Sequence, residues 1–251
     1  MSRNPRVVLI TGGTKGIGLA VAQAYARLGD IVAVSGRSDD LALKKAVDSL
    51  KLIQPRATGS LVDVRDRQSV ASWVNGIVEE FERIDVAIAN AGIIRPCSFL
   101  QLEESQWDEV VDTHLKGTFL VLQSVARTMT ERHVAGSLIT VTAPSALRGG
   151  IGVADYASAK GGIISLTRNL AMELGPYEIR VNAILPVAET GMTETLRLFR
   201  GLDQESWNKR YSSKRPLQPD DIVGPFIFLG SDAARHVTGQ IIAVGPPQVI
   251  A

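Results

Sequence analysis

Cysteine is nearly absent from this chain. Cys97 is the only one, so no internal disulfide can form and the fold must hold by packing, as suits a reducing compartment. No base stands near Cys97 in sequence, which leaves it a small thiol and not a nucleophile. Charge of one sign is lacking too. A net charge of +1 excludes the broad positive footprint that nucleic acid or an anionic membrane requires. The apolar runs are strand-sized, well short of the roughly 20 residues of a membrane helix. The segment 1–6 is short and polar and shows no signal-peptide pattern. His133 and His236 have no ligand spacing with cysteines or carboxylates, so no metal site is expected. Together these absences predict a soluble, cytoplasmic protein that engages neither nucleic acid nor membrane.

What the chain does have is apolar bulk, with 45% hydrophobic residues, enough to bury a large core in one domain spanning 1–251. Short β-branched runs alternate with longer amphipathic ones. Residues 7–11, 31–35, 57–61, 86–90, 136–141, 180–184 and 241–244 read as strands, and 16–28, 39–52, 67–81, 104–131, 156–174 and 220–229 as helices. That alternation predicts an α/β fold of the doubly wound, Rossmann type: a mainly parallel seven-stranded sheet with helices on both faces. No repeat or low-complexity segment is visible. One polar, charged stretch, 188–216, breaks the rhythm after the sixth strand. Ligands of open α/β sheets sit outside the carboxyl ends of the strands, so this insertion is placed to act as a lid.

Directly after the first strand comes TGGTKGIG, residues 11–18, followed at once by a helix. Gly12, Gly16 and Gly18 allow a tight turn and close backbone approach, and the helix start presents free N–H groups to a pyrophosphate. The motif resembles TGxxxGxG of the short-chain dehydrogenase/reductase family. The resemblance continues through Asp63-Val64, Asn90-Ala91-Gly92, YASAK at Tyr156 to Lys160, and Arg180-Val181-Asn182-Ala183, in order over almost the whole chain. It implies that Gly12, Gly16 and Gly18 hold the pyrophosphate of a nicotinamide dinucleotide, with Thr14, Lys15 and Ile17 of the same turn among the cofactor-binding residues. It also implies that Asp63 and Val64 flank the adenine, and that Asn90, Ala91, Gly92 and Pro186 line the cofactor cleft. A homo-dimer or homo-tetramer packed through 104–131 and 156–174 is implied as well.

The end of the second strand decides between NAD and NADP, because a carboxylate there binds a ribose hydroxyl and a guanidinium accommodates a phosphate. The chain has Ser35-Gly36-Arg37, with Lys15 in the glycine turn, and this pair favours NADP(H). Asp39 and Asp40 lie just beyond.

Tyr156 and Lys160 stand four apart and project from one helical face. A cation at about 4 Å is worth up to ~4 kcal/mol at an effective dielectric near 20. Lys160 is therefore expected to lower the phenol pKa by up to about three pH units, readying Tyr156 to exchange a proton with a carbonyl or alcohol oxygen. The family pairs these two with a serine and an asparagine. The serine position, thirteen residues before the tyrosine, holds Ala143, and the asparagine position holds His114. Losing one donor to a developing oxyanion typically costs 10²–10³ in rate. Three explanations stand: Thr142 or Ser145 fills the gap, the substrate brings its own hydrogen-bonding group, or the protein binds NADP(H) with little turnover. His114 is either a proton relay or a space-filling residue. Val187 follows Pro186 where glycine is common in the family, and Val244-Gly245-Pro246-Pro247 replaces the common Asp-Gly-Gly.

The leading expectation is a ketone reductase exchanging hydride with a carbonyl or alcohol substrate. Its rivals are a non-redox isomerase, dehydratase or lyase using Tyr156 as acid or base, and a cofactor-binding regulator. Arg197, Arg200, Lys209, Arg210, Lys214 and Arg215 give the lid an excess of positive charge, which suggests an acidic or carrier-linked small-molecule substrate.

Overall fold

The computed structural model describes residues 4–209 and 215–246. Seven strands form one sheet: β1 Val7–Thr11, β2 Ile31–Gly36, β3 Thr58–Leu61, β4 Val86–Ala89, β5 Gly136–Val141, β6 Ile179–Pro186 and β7 Ile241–Val244, in the order β3-β2-β1-β4-β5-β6-β7. All six neighbouring pairs run parallel. The central strands read as unbroken apolar runs because helices cover both faces. In β1, for instance, every residue is buried. Val7 and Leu9 face one core, beneath α3 (Arg67–Phe81) and α5 (Gly117–Glu131), whereas Val8 and Ile10 face the other, beneath α1 (Gly16–Arg27) and α2 (Asp40–Lys51). Among the described residues no helix is long and apolar enough to cross a membrane.

The chain runs from β1 outwards to β3, then returns past β1 to begin β4. The β1 and β4 ends therefore diverge at a switch point, where a crevice opens.

Several boundaries differ from the sequence expectation, each for a local reason. The helix expected over 104–131 is interrupted: α4 (Glu104–Val111) passes through a π-turn at Asp112–Lys116 into α5. A short helix, α6 (Ser145–Arg148), follows β5 and escaped notice because one turn has no periodicity to read. The helix expected from 156 starts one half-turn earlier, as α7 (Ala154–Leu174). The stretch after β6 contains α8 (Gly191–Phe199), capped by Thr190, and α9 (Gln204–Asn208), capped by Asp203. The last helix, expected over 220–229, divides into a 3₁₀ turn at Pro219–Ile222 and α10 (Val223–Leu229).

Tyr25 of α1 joins the two ends of one helical layer. It is fully buried, donates its hydroxyl to the Phe226 carbonyl at 2.7 Å, and lies where a Cβ on Gly230 would stand 2.1 Å from its oxygen. Tyr25→Phe keeps the ring and removes one of the two hydrogen bonds that the Phe226 carbonyl accepts, the other coming from the Gly230 N–H at 3.0 Å. It should lower unfolding stability by about 0.5–1.5 kcal/mol in urea titrations, while cofactor affinity stays at the wild-type value.

Candidate active site

The crevice is built from the backbone up. Thr11 Oγ1 accepts hydrogen bonds from the backbone N–H groups of Asn90 and Ala91, both at 3.0 Å. The Asn90 side-chain amide donates to the carbonyls of Thr11 and Gly12, both at 3.1 Å. This knot draws the ends of β1 and β4 together, and the glycines make the closeness possible. A Cβ on Gly12, itself at φ +64°, would stand 2.9 Å from Ala91 Cα, and one on Gly18 would stand 2.2 Å from the Gly12 carbonyl oxygen. The start of α1 has no side-chain cap and no acid in its first turn, so its N–H groups remain open to an anion.

A cleft of about 1110 Å³ extends from this turn. Gly12, Thr14, Lys15, Gly16 and Ile17 line its floor, and Gly18 lies buried beneath. Arg37, Asp63 and Val64 line one end; Asn90, Ala91, Gly92 and Pro186 line the middle; His114, Thr142, Ser145, Tyr156 and Lys160 gather at the other. The residues singled out by sequence thus converge on one cavity. A backbone cradle with no room for side chains, joined to an elongated cleft, fits a dinucleotide.

At the Arg37 end the charges are already shared. Glu109 of α4 accepts from Arg37 at 3.4 Å and pairs with Arg95 at 2.8 Å, and Arg65 grips Asp63 with a closest contact of 2.5 Å. That grip holds the Asp63 carboxylate below its usual range. Arg37 is 43% exposed and free to turn towards the cleft.

At the other end burial governs everything. Lys160, in α7, donates its Nζ to the Val141 carbonyl at 2.6 Å and lies 5.6 Å from the centre of the Tyr156 ring. The expected electrostatic lowering of the phenol is overturned here. Burial pushes Tyr156 up to about 12 and Lys160 down to about 7, because loss of water penalises phenolate and ammonium alike. His114 sits in the π-turn, edge-on to Tyr156 with ring centres 5.0 Å apart. Its Nε2 lies 2.7 Å from the Ile93 carbonyl and 3.1 Å from the Ile93 N–H, so one tautomer donates to the first and the other accepts from the second; Nδ1 is buried and has no partner. Burial, reinforced by the Lys160 charge, lowers His114 to about 3, so near neutral pH the ring is uncharged.

The two hydroxyls beside Ala143 are not equivalent. Thr142 donates to the Lys160 backbone carbonyl at 2.8 Å and is thereby committed to the start of α7. Ser145 Oγ, at the start of α6, is buried without a partner and its residue lines the cleft. Thr113 Oγ1, overlooked in the sequence, is likewise buried and unpartnered in a residue lining the cleft.

Of the six basic residues expected to charge the segment after β6, three are paired with acids in it or just beyond it. Arg197 pairs with Glu194 at 2.7 Å, Lys209 with Glu205 at 2.8 Å and Arg215 with Asp221 at 2.6 Å. Arg210, Lys214 and Pro247 lie outside the described residues. Val187 lines the cleft and packs against Trp207 of α9, with Leu196 and Leu202 around them. Trp207 in turn donates its indole N–H to Glu189 at 2.7 Å. Sequence reading missed Trp207 and Arg148 as cleft residues, since neither belongs to a motif.

A dinucleotide cradle leading to a buried tyrosine–lysine pair defines a nicotinamide-dependent oxidoreductase, and comparison with known proteins supplies the family. A family model described as enoyl-(acyl carrier protein) reductase matches residues 12–245. The chain is 35% identical to an L-rhamnose 1-dehydrogenase (NAD(P)(+)) of Azotobacter vinelandii, covering 95% of this chain and 94% of that protein. It is 33% identical to the 3-oxoacyl-[acyl-carrier-protein] reductase FabG of Thermotoga maritima, covering 98% of each. Among solved structures, a variant of actinorhodin polyketide ketoreductase with NADPH superposes with a TM-score of 0.93 at 28% identity, over 99% of this chain and 98% of that one. Carveol dehydrogenase from Mycobacterium avium, in complex with NAD, superposes with a TM-score of 0.89 at 26% identity, covering 98% and 99%. The chain belongs to the short-chain dehydrogenase/reductase family. It is an oxidoreductase of the ketoreductase type, acting on a small-molecule substrate with a nicotinamide cofactor.

His114 makes the fold sensitive to acid. Its native pKa of about 3 lies below the unfolded value of 6.5, so the unfolded chain takes up a proton that the native one refuses. Its share of stability is complete above pH 6.5 and declines as pH falls towards 3. Between pH 7 and pH 4.5 the wild type should lose on the order of 2–3 kcal/mol through this group. Urea titrations at the two pH values should show that loss, and His114→Asn should remove it; an unchanged pH slope in the variant refutes the assignment.

Proposed function

We propose that the protein is an NADP(H)-dependent ketone reductase in which Ser145 takes over the orienting role that Ala143 cannot perform. The observation that carries this reading is the pair formed by a buried, unpartnered Ser145 hydroxyl and a Tyr156 phenol held protonated by burial, both lining the same end of the cleft. The nicotinamide supplies hydride when bound. Tyr156 holds a proton at its hydroxyl near neutral pH and delivers it to the carbonyl oxygen. Ser145 Oγ donates a hydrogen bond to the same oxygen and fixes its orientation. Lys160, anchored on Val141, holds an ammonium near the phenol as negative charge develops there. His114 Nδ1, buried and without a protein partner, pairs with a water or ligand group; the π-turn and Gly92 hold the ring in place.

For the cofactor, Arg37 and Lys15 at the cleft end support NADP(H): the Arg37–Glu109 contact is long and exposed, so Arg37 can exchange it for a phosphate. The described residues 188–209 act as a lid, clamped by Val187 and Trp207, that excludes water from the reacting end. An acidic or carrier-linked substrate fits the arginines that line the cleft, and the likeness to 3-oxoacyl-[acyl-carrier-protein] reductases supports it. The protein works as a cytoplasmic homo-dimer or homo-tetramer joined through α4–α5 and α7, whose Met172 is 81% exposed.

The test follows NADPH absorbance over a panel of ketones. Tyr156→Phe should abolish turnover. Ser145→Ala should reduce kcat/KM by about 10²–10³, and Thr142→Ala by much less. Full activity in Ser145→Ala removes the assigned role, and product formed without NADPH oxidation moves the protein to the isomerase or lyase class. Cofactor choice is read separately by fluorescence titration. Arg37→Asp should weaken NADPH by roughly 10–100-fold and leave NADH almost unchanged; equal or tighter NADH binding in the wild type overturns the NADP assignment.

A further inference from the structure

A threonine inside a helix commonly settles its hydroxyl on the chain itself, donating to a carbonyl three or four residues back. Thr128 of α5 does so to the Ser124 carbonyl at 3.2 Å, Thr167 of α7 to Ile163 at 2.8 Å, and Thr195 of α8 to Gly191 at 2.8 Å. Thr113 does not. It lies in the π-turn between α4 and α5, and its Oγ1 is buried without a partner. A buried hydroxyl with no hydrogen bond destabilises the protein that carries it, whereas a methyl group of the same shape does not. Its retention at this place points to a ligand that supplies the bond.

The surroundings of Thr113 say which part of the cleft that ligand occupies. Thr113 lines the cleft. The next residue, His114, lies against Gly92, where a Cβ would collide with the imidazole, and it is this ring that meets Tyr156. One turn further on, Gly117 lies against Val64, where a Cβ would stand 2.7 Å from Val64 Cγ2. Thr113 thus falls between Gly92, at the middle of the cleft, and its Val64 end, away from the reacting pair. A helical threonine divides between two χ1 rotamers, and Oγ1 of Thr113 gives up no hydrogen bond when it turns from one to the other.

We propose that Thr113 is a cofactor-binding residue whose hydroxyl pairs with a hydroxyl or ring nitrogen in the adenosine half of the dinucleotide. The free protein carries the unpartnered group, and the bound cofactor satisfies it. This assignment rests on the cleft holding a nicotinamide dinucleotide. It is independent of the choice between NAD and NADP and of the part given to Ser145.

Thr113→Val keeps the shape and removes the hydroxyl. Binding is read by fluorescence titration with NADPH and NADH, and by displacement of NADPH with 2′,5′-ADP and 5′-AMP, which carry the adenosine half alone. Stability is read by urea titration without coenzyme. In Thr113→Val the dissociation constants of both coenzymes and both fragments should rise by about 3–10-fold, and the loss should fall on KM for NADPH rather than on kcat. The coenzyme-free variant should unfold at a urea concentration equal to or above that of the wild type, since it buries one unpartnered group fewer. Thr113→Ser should restore binding. Unchanged dissociation constants overturn the assignment, and so does a lowered urea midpoint without coenzyme, which marks the hydroxyl as structural. Weaker coenzymes with unaffected fragments place the contact in the nicotinamide half and overturn it too. A wild type that binds neither coenzyme overturns the dinucleotide site and this assignment with it, whereas tighter binding of NADH than NADPH overturns the NADP reading alone.

Discussion

The Thr11–Asn90 knot is the constraint from which the site follows. Two parallel strands that the chain reaches from opposite directions are tied at their carboxyl ends by four hydrogen bonds, none of which involves a ligand. Because Asn90 spends its amide donors on the Thr11 and Gly12 carbonyls, its part is to hold the glycine turn against β4. Gly12 and Gly18 then complete the approach, since any side chain at either position would collide with backbone. The cradle is thus preorganised by the protein's own hydrogen bonds.

Desolvation is the second organising force, and it runs against simple Coulomb reasoning. A lysine beside a tyrosine suggests phenolate, yet both groups are buried and both shift towards their neutral forms. The lost hydration of each group outweighs the attraction between charges neither of which is fully formed. His114 follows the same logic and is held neutral. The reacting end therefore stores protons on Tyr156 and keeps charge scarce.

Much of this was legible in the residues. β-branched runs, the glycine turn and the tyrosine–lysine spacing fixed the sheet, the cradle and the reacting pair, because each depends on local chemistry at short sequence separation. What was hidden depends on side-chain direction and burial. Thr142 and Ser145 look alike in sequence, yet one hydroxyl is taken up by the Lys160 carbonyl and the other is not. The basic residues after β6 read as a charged face, whereas neighbouring acids pair with three of the six. Arg148 was invisible because a single helical turn carries no pattern, and Trp207 because its partner Val187 lies twenty residues away.

The π-turn at Asp112–Lys116 has a consequence for how this chain tolerates length changes. It inserts one residue into an otherwise continuous helix, and each helical residue turns the axis by about 100°. Deleting a single position there would close the wide turn into regular winding and keep Leu120, Val121 and Val125 facing the layer they fill. A deletion in the regular turns of α5 before that stripe would instead rotate it by about 100°. Shortening by one residue is therefore absorbed at the π-turn and disruptive in the regular helix beside it.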